Sequence, residues 1–241
     1  MSIVHRAARH YAKENKSLAK WISEFRPANE TSLVGKLQAL QVAYNAPLLL
    51  AYLDDIWRIV QLEGFERVLF QSRDGCLAVK LWNVLHGEVP GSYFYASREC
   101  WRRASTGFRQ YHASETAGGK SLLVDFISAG LSIAEAIKAG MNIGRVHAML
   151  LMDFLSQPPV PACLSWMTTL TATYVDCATV EMLNYDLMNQ VLDVAADGTP
   201  ECEDACEYDL GLVRASHDTF NAMLANVPRG PLANPISVLD F

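Results

Sequence analysis

Three short polar clusters each follow a short apolar run, and each contains groups able to hold an anion or a cation. Ser72, Arg73, Asp74 and Gly75 come after Arg67-Val68-Leu69-Phe70; Ser97 and Arg98 come after Tyr93-Phe94-Tyr95-Ala96; Asp125, Ser128, Gly130 and Ser132 close and follow Ser121 to Val124. Hydroxyls, guanidinium groups and the open N–H groups of a helix start bind phosphate oxygens, and carboxylates at strand ends bind a divalent cation such as Mg2+. The chemistry these types share is recognition of a phosphorylated small molecule with Mg2+. Each residue also has a plainer reading. Asp74-Gly75 is a common turn pair, and Ser97 and Asp125 can serve as helix caps.

Positioning three such clusters together requires strands that end at one edge. Residues 1–64 lack strand signals and have helical periodicity, with a break at Arg26-Pro27-Ala28-Asn29 and a stop at Gly64 after the helical spacing of Leu49, Leu53, Ile56 and Val60. From residue 65 onward short apolar runs alternate with helical patterns: Leu77 to Leu85, a polar helical stretch after Glu99, and Leu131 to Ala139. A fourth run, Val146 to Met152, ends at Asp153. Alternation of this kind predicts an α/β fold, a Rossmann-like, mostly parallel sheet with flanking helices, preceded by the helical segment. Three parts are expected: residues 1–64 as a helical segment packed on the core, 65–156 as the core, and 157–241 as an extension completing it. Gln157 to Pro161 reads as a rigid linker, Cys163 to Tyr185 is open between strand and helix, and Val227 to Phe241 reads as an extended tail.

Composition narrows the setting. With 241 residues, 51% of them hydrophobic and 19% charged, the chain can bury a sizeable core. Its longest apolar stretches, Ala46 to Leu53 and Val146 to Leu151, fall far short of the roughly 20 residues of a membrane helix, so no membrane partner is expected. The net charge of -6 speaks against nucleic acid, since phosphate backbones select basic proteins. Six cysteines at irregular spacing form no disulfide framework, and the charged start has no signal-peptide run, so a cytoplasmic location is expected. Cys202 and Cys206 would share a helix face without a second ligand pair for zinc. His5, His10, His112, His147 and His217 show no metal spacing, His147 reads as a core residue, and Asp54 and Asp55 read as a solvated helix face. Residues 1–36 are basic, whereas 181–209 carry acids and no Lys or Arg. These read as solvated faces of opposite sign, and both are candidate surfaces for a protein partner.

The stretches VLFQSRDGCLAVKLWNVL, YFYASRECWRRAS and SLLVDFISAG resemble the haloacid dehalogenase-like (HAD-like) proteins whose first strand ends in S-R-D-G, second in S-R and third in V-D. VEMLNYDLMNQVLDVAADGTP resembles the segment that follows the core in that group. The resemblance spans roughly Pro47 to Pro200 and implies a phosphatase or phosphotransferase, a hydrolase using Mg2+. In the wider superfamily the first strand ends in D-x-D, with a nucleophilic Asp followed by an acid/base Asp. Position by position, Asp74 matches the acid/base, Ser97 the phosphate-binding hydroxyl and Asp125 a later metal carboxylate; Ser72 stands at the nucleophile's place, where a hydroxyl without a base is a poor substitute. Lys120, Arg98, Arg102 and Arg103 are alternatives for the family's lysine.

Ser121 to Ser132 is also similar to the phosphoribosyltransferase fingerprint, which implies binding of phosphoribosyl pyrophosphate, with Phe126 and Ala129 departing from it. A third expectation is a non-catalytic interaction module. Both phosphate readings require Asp74, Ser97 and Asp125 to converge on one cleft, with Arg98 reaching into it or pairing with Asp74 or Asp125.

Overall fold

Polar caps start the first helices. α1 (Ile3–Tyr11), α2 (Lys16–Glu24) and α3 (Leu33–Leu40) begin behind Ser2, Asn15 and Ser32, whose side chains accept from the N–H groups of His5, Leu18 and Gly35. Each cap satisfies a donor that the first helical turn leaves open. The break expected at Arg26 to Asn29 separates α2 from α3. α3 then runs through a π-helical turn (Gln41–Asn45) into α4 (Ala46–Glu63). α4 stops at Gly64, whose φ of 67° lies in the left-handed region that glycine adopts at little cost.

The computed structural model describes residues 2–13, 15–126, 131–150, 168–171, 177–204 and 208–228, with the backbone alone for 145–150, 168–171 and 177–178. The protein is mixed α/β. Among the described residues β1 (Arg67–Gln71), β2 (Gly91–Phe94), β3 (Ser121–Asp125), β4 (Arg145–Leu150) and β5 (Thr168–Thr171) form one parallel sheet in the order β2-β1-β3-β4-β5. α5 (Gly75–Leu85) follows β1, α6 (Arg98–Arg103) and α7 (Thr106–Thr116) follow β2, and α8 (Leu131–Lys138) follows β3. Side chains alternate between two helical layers. Val68, Phe70, Leu122 and Val124 join the core with α4 and α5, while Leu69 and Leu123 join the core with α6, α7 and α8. With both faces covered, the central strands are apolar at every position between their ends, which is why they read as runs rather than alternations.

Several boundaries differ from expectation. β2 ends at Phe94, because Tyr95 N–H donates to the Tyr111 hydroxyl at 3.1 Å and the Ala96 backbone is taken up by Ser72; side chains replace the ladder there. The ambiguous stretch from Cys163 resolves, where described, into β5 and α9 (Cys177–Asn184). β6 (Val191–Val194) and β7 (Pro200–Cys202) form an antiparallel pair, so Cys202 sits in a strand, not on a helix face shared with Cys206. Cys206, Asp153, the Gln157 to Pro161 linker and residues 229–241 of the expected tail lie outside the described residues.

α10 (Leu210–Leu224) starts behind the Asp209 cap and packs against α3 and α9. Trp21 Nε1 donates to Met223 O at 2.9 Å. Beside it lies a buried polar network: Asn45 Nδ2 donates to Gln41 Oε1 and Asn184 Oδ1 (3.1 Å each), Asn184 Nδ2 to Asn45 Oδ1 (2.7 Å), and Ser216 Oγ to Gln41 Oε1 (3.0 Å). These bonds tie α2 and the π-helical turn to α9 and α10. Among the described residues no ion pair joins the basic segment 1–36 to the acidic segment 181–209. No helix is long and apolar enough to cross a membrane among the described residues.

Candidate functional site

Parallel register brings the first two strands level at their carboxyl ends. Gln71 pairs with Phe94 and Phe70 with Val124, so Ser72, the Ala96-Ser97 corner and Asp125 lie along one edge of the sheet. Asp74, directly before α5, and Asp125, the last residue of β3, are both buried. Gly75 opens α5 so close to β1 that a Cβ there would come within 3.0 Å of the carbonyl carbon and the Cβ of Phe70. Only glycine allows the helix to begin against the strand without a shift.

The hydroxyls on this edge are committed to backbone. Ser72 Oγ donates to Ala96 O at 2.8 Å and accepts from Ala96 N–H at 3.1 Å. Its hydrogen points to a carbonyl and not to a base. Ser97 caps α6, accepting from the N–H groups of Glu99 (3.0 Å) and Cys100 (3.2 Å) while donating to Val191 O. One donor and two acceptor sites are all that a hydroxyl has, so Ser97 is saturated in this arrangement. Ser132 lies half-buried in the first turn of α8; Ser128 and Gly130 lie outside the described residues.

The arginines part company. Arg73 reaches α9, donating to Glu181 Oε1 at 2.7 Å and to the Tyr185 hydroxyl at 3.4 Å, with its guanidinium carbon 4.8 Å from the Tyr185 ring centroid. Burial works against its charge, but Asp74, Tyr185 and Glu181 outweigh that and raise its pKa. Arg98 is exposed and, among the described residues, forms no ion pair with Asp74 or Asp125, so of its two expected roles the pairing is not seen; as the first residue of α6 it starts the helix whose Ser97 cap is drawn onto β6. Arg102 pairs with Glu135, Arg103 with Glu99, and Lys120 lies at the amino edge, donating to Glu63 O at 2.5 Å.

Behind the S-R-D-G loop lies a second layer that the sequence reading did not assign to the site. The Cys76 thiol donates to Asn184 O at 3.1 Å and is 4.0 Å from His217 Nε2. Burial pushes the thiol well up, helped by Asp186, and the same desolvation lowers His217 to about 4. A neutral thiol thus faces a neutral imidazole, which is not the ion pair of a cysteine nucleophile. The Tyr93 hydroxyl donates to Asp186 Oδ2, and burial, then Asp186, hold its pKa well above the ordinary value. Cys76 directly follows S-R-D-G and Asp186 lies in the V-E-M-L-N-Y-D stretch, so a signal existed for both. His217 had none, since it arrives from α10. Asp54 and Asp55 pair with Arg58 on α4, as a solvated face would.

Comparison with protein-family models and with curated proteins returns no match. Among the described residues no group of three His, Cys, Asp or Glu side chains is arranged to hold a metal ion. A cavity of about 310 Å³, lined by Phe65, Leu69, Lys120, Ser121, Asn142 and Ile143, lies at the opposite, amino edge, away from these loops.

Proposed function

We propose that the chain is a Rossmann-like, HAD-like domain that binds a phosphorylated small molecule with Mg2+ at the carboxyl edge between β1 and β3. The observation that carries this reading is the pair of buried carboxylates on adjacent parallel strands' carboxyl side, Asp74 in the loop between β1 and α5 and Asp125 at the last position of β3. The strand order β2-β1-β3-β4-β5 supports it, because chain direction across the sheet reverses between β1 and β3, and ligands of doubly wound sheets bind at such a reversal. Mg2+ is commonly held by one or two carboxylates, with ligand phosphate and water completing its shell, which is the role this reading gives Asp74 and Asp125. Hydrolysis would need a nucleophile other than Ser72, which stands at the nucleophile's place with its hydrogen on Ala96 O.

The test is calorimetry with inorganic phosphate and Mg2+, comparing the wild type with Asp74→Asn and Asp125→Asn. Each substitution should weaken binding by about tenfold, the loss expected for one charged ligand. Binding indifferent to both changes would sink the site assignment. The engaged hydroxyls of Ser72 and Ser97 favour one other reading, a non-catalytic interaction module. Such a module would melt at the same temperature with and without Mg2+ and phosphate.

A further inference from the structure

One side chain joins the S-R-D-G loop to α9. Arg73 places its guanidinium on the Tyr185 ring and one nitrogen 2.7 Å from Glu181 Oε1; Glu181 lies in α9, and Tyr185 directly follows its last residue. The side chains of Arg73 and Glu181 keep 21% and 27% of their exposure, so a solute can reach the pair. Residues 181–209 contain no Lys or Arg, so Glu181 finds its cation on the candidate loop and not in its own segment.

We propose that Glu181 is a resident stand-in for the anionic group of the ligand: its carboxylate occupies the Arg73 guanidinium until a phosphate displaces it. The proposal rests on the phosphate-binding reading above and adds to it a competitor built into the chain. The exchange is favourable because phosphate near neutral pH carries more charge than a carboxylate and offers a guanidinium paired acceptor oxygens. Tyr185 keeps the guanidinium in place during it, since stacking on the ring does not depend on which anion sits at the nitrogens.

Calorimetric titration with inorganic phosphate and Mg2+ at neutral pH compares the wild type, Glu181→Gln, Arg73→Ala and the double variant. Removing the competitor should tighten binding about fivefold, the scale of a partly exposed ion pair, and the gain should vanish when Arg73 is absent. Glu181→Ala should act in the same direction, which guards against a local effect of the glutamine amide. If the wild type binds and Glu181→Gln binds equally or more weakly, the stand-in is overturned while the phosphate site remains. A gain that persists without Arg73 also overturns it, as a long-range charge effect. Absence of binding in every variant overturns both readings.

Discussion

Ser72 Oγ bridges to the backbone of Ala96, donating to its carbonyl at 2.8 Å and accepting from its N–H at 3.1 Å. One side chain thereby closes the gap between β1 and β2 where the ladder has ended. Ser72→Ala should cost about 1–3 kcal/mol, because two buried backbone groups lose their partner at once. Urea denaturation measures the loss. If the phosphate site lies on Asp74 and Asp125, the same variant should keep its phosphate affinity, whereas a nucleophilic Ser72 would show itself as lost turnover without lost stability.

Gly75 packs closely against β1. A Cβ there meets the carbonyl carbon and Cβ of Phe70 at 3.0 Å, and neither can swing away as the tip of a long side chain could. Gly75→Ala should destabilise by about 1–3 kcal/mol through overpacking. It should also disturb the loop carrying Asp74, so phosphate affinity should fall with stability. A thermal melt unchanged from the wild type would show that the start of α5 takes up a Cβ at residue 75 without strain.

Two buried histidines give the protein a pH dependence of definite sign. Burial lowers both His112 and His217 from 6.5 to about 4. The unfolded chain binds these protons at higher pH than the folded one, so the stabilising contribution is present above about pH 6.5 and is lost as pH falls toward the folded values near 4. Each histidine contributes on the order of 3 kcal/mol across that window. Denaturation midpoints should therefore drop on acidification between about pH 6.5 and 4. His112→Leu should flatten the slope by roughly half, and an equal slope in that variant would remove His112 from the account.

The amide network between the π-helical turn and α9 should be a sensitive point. Asn45 and Asn184 bond each other twice, at 3.1 and 2.7 Å, within a wholly buried setting. Asn45→Leu takes the donor from the buried Asn184 Oδ1, while Asn184 Nδ2 keeps Val180 O at 2.8 Å, a cost of about 1–3 kcal/mol. Asn45→Leu should also loosen α9, read as faster hydrogen exchange in residues 179–184. Unchanged exchange there would show that α9 is held by other contacts.

What local sequence determined is clear at particular residues. Arg67 to Phe70 and Ser121 to Val124 could be read as strands because both faces of a parallel sheet are covered, which makes such strands apolar at nearly every position. Gly64 could be read as a stop because a left-handed cap is a property of one residue. Ser72, Asp74, Ser97 and Asp125 could be placed on one edge because parallel strands must all end there. What only the tertiary structure decided involves residues distant in the chain. Arg73 turns to Glu181, Ser97 to Val191, and Cys76 to Asn184 and His217, none of which follows from spacing along the sequence. A side chain's hydrogen-bond partner is set by whichever unsatisfied group packing brings within about 3 Å, and that depends on how α9, β6 and α10 fold back over the sheet. The residue types capable of chemistry were legible from the sequence, but that Arg73 and Ser97 are already engaged was settled by contacts more than 90 residues away.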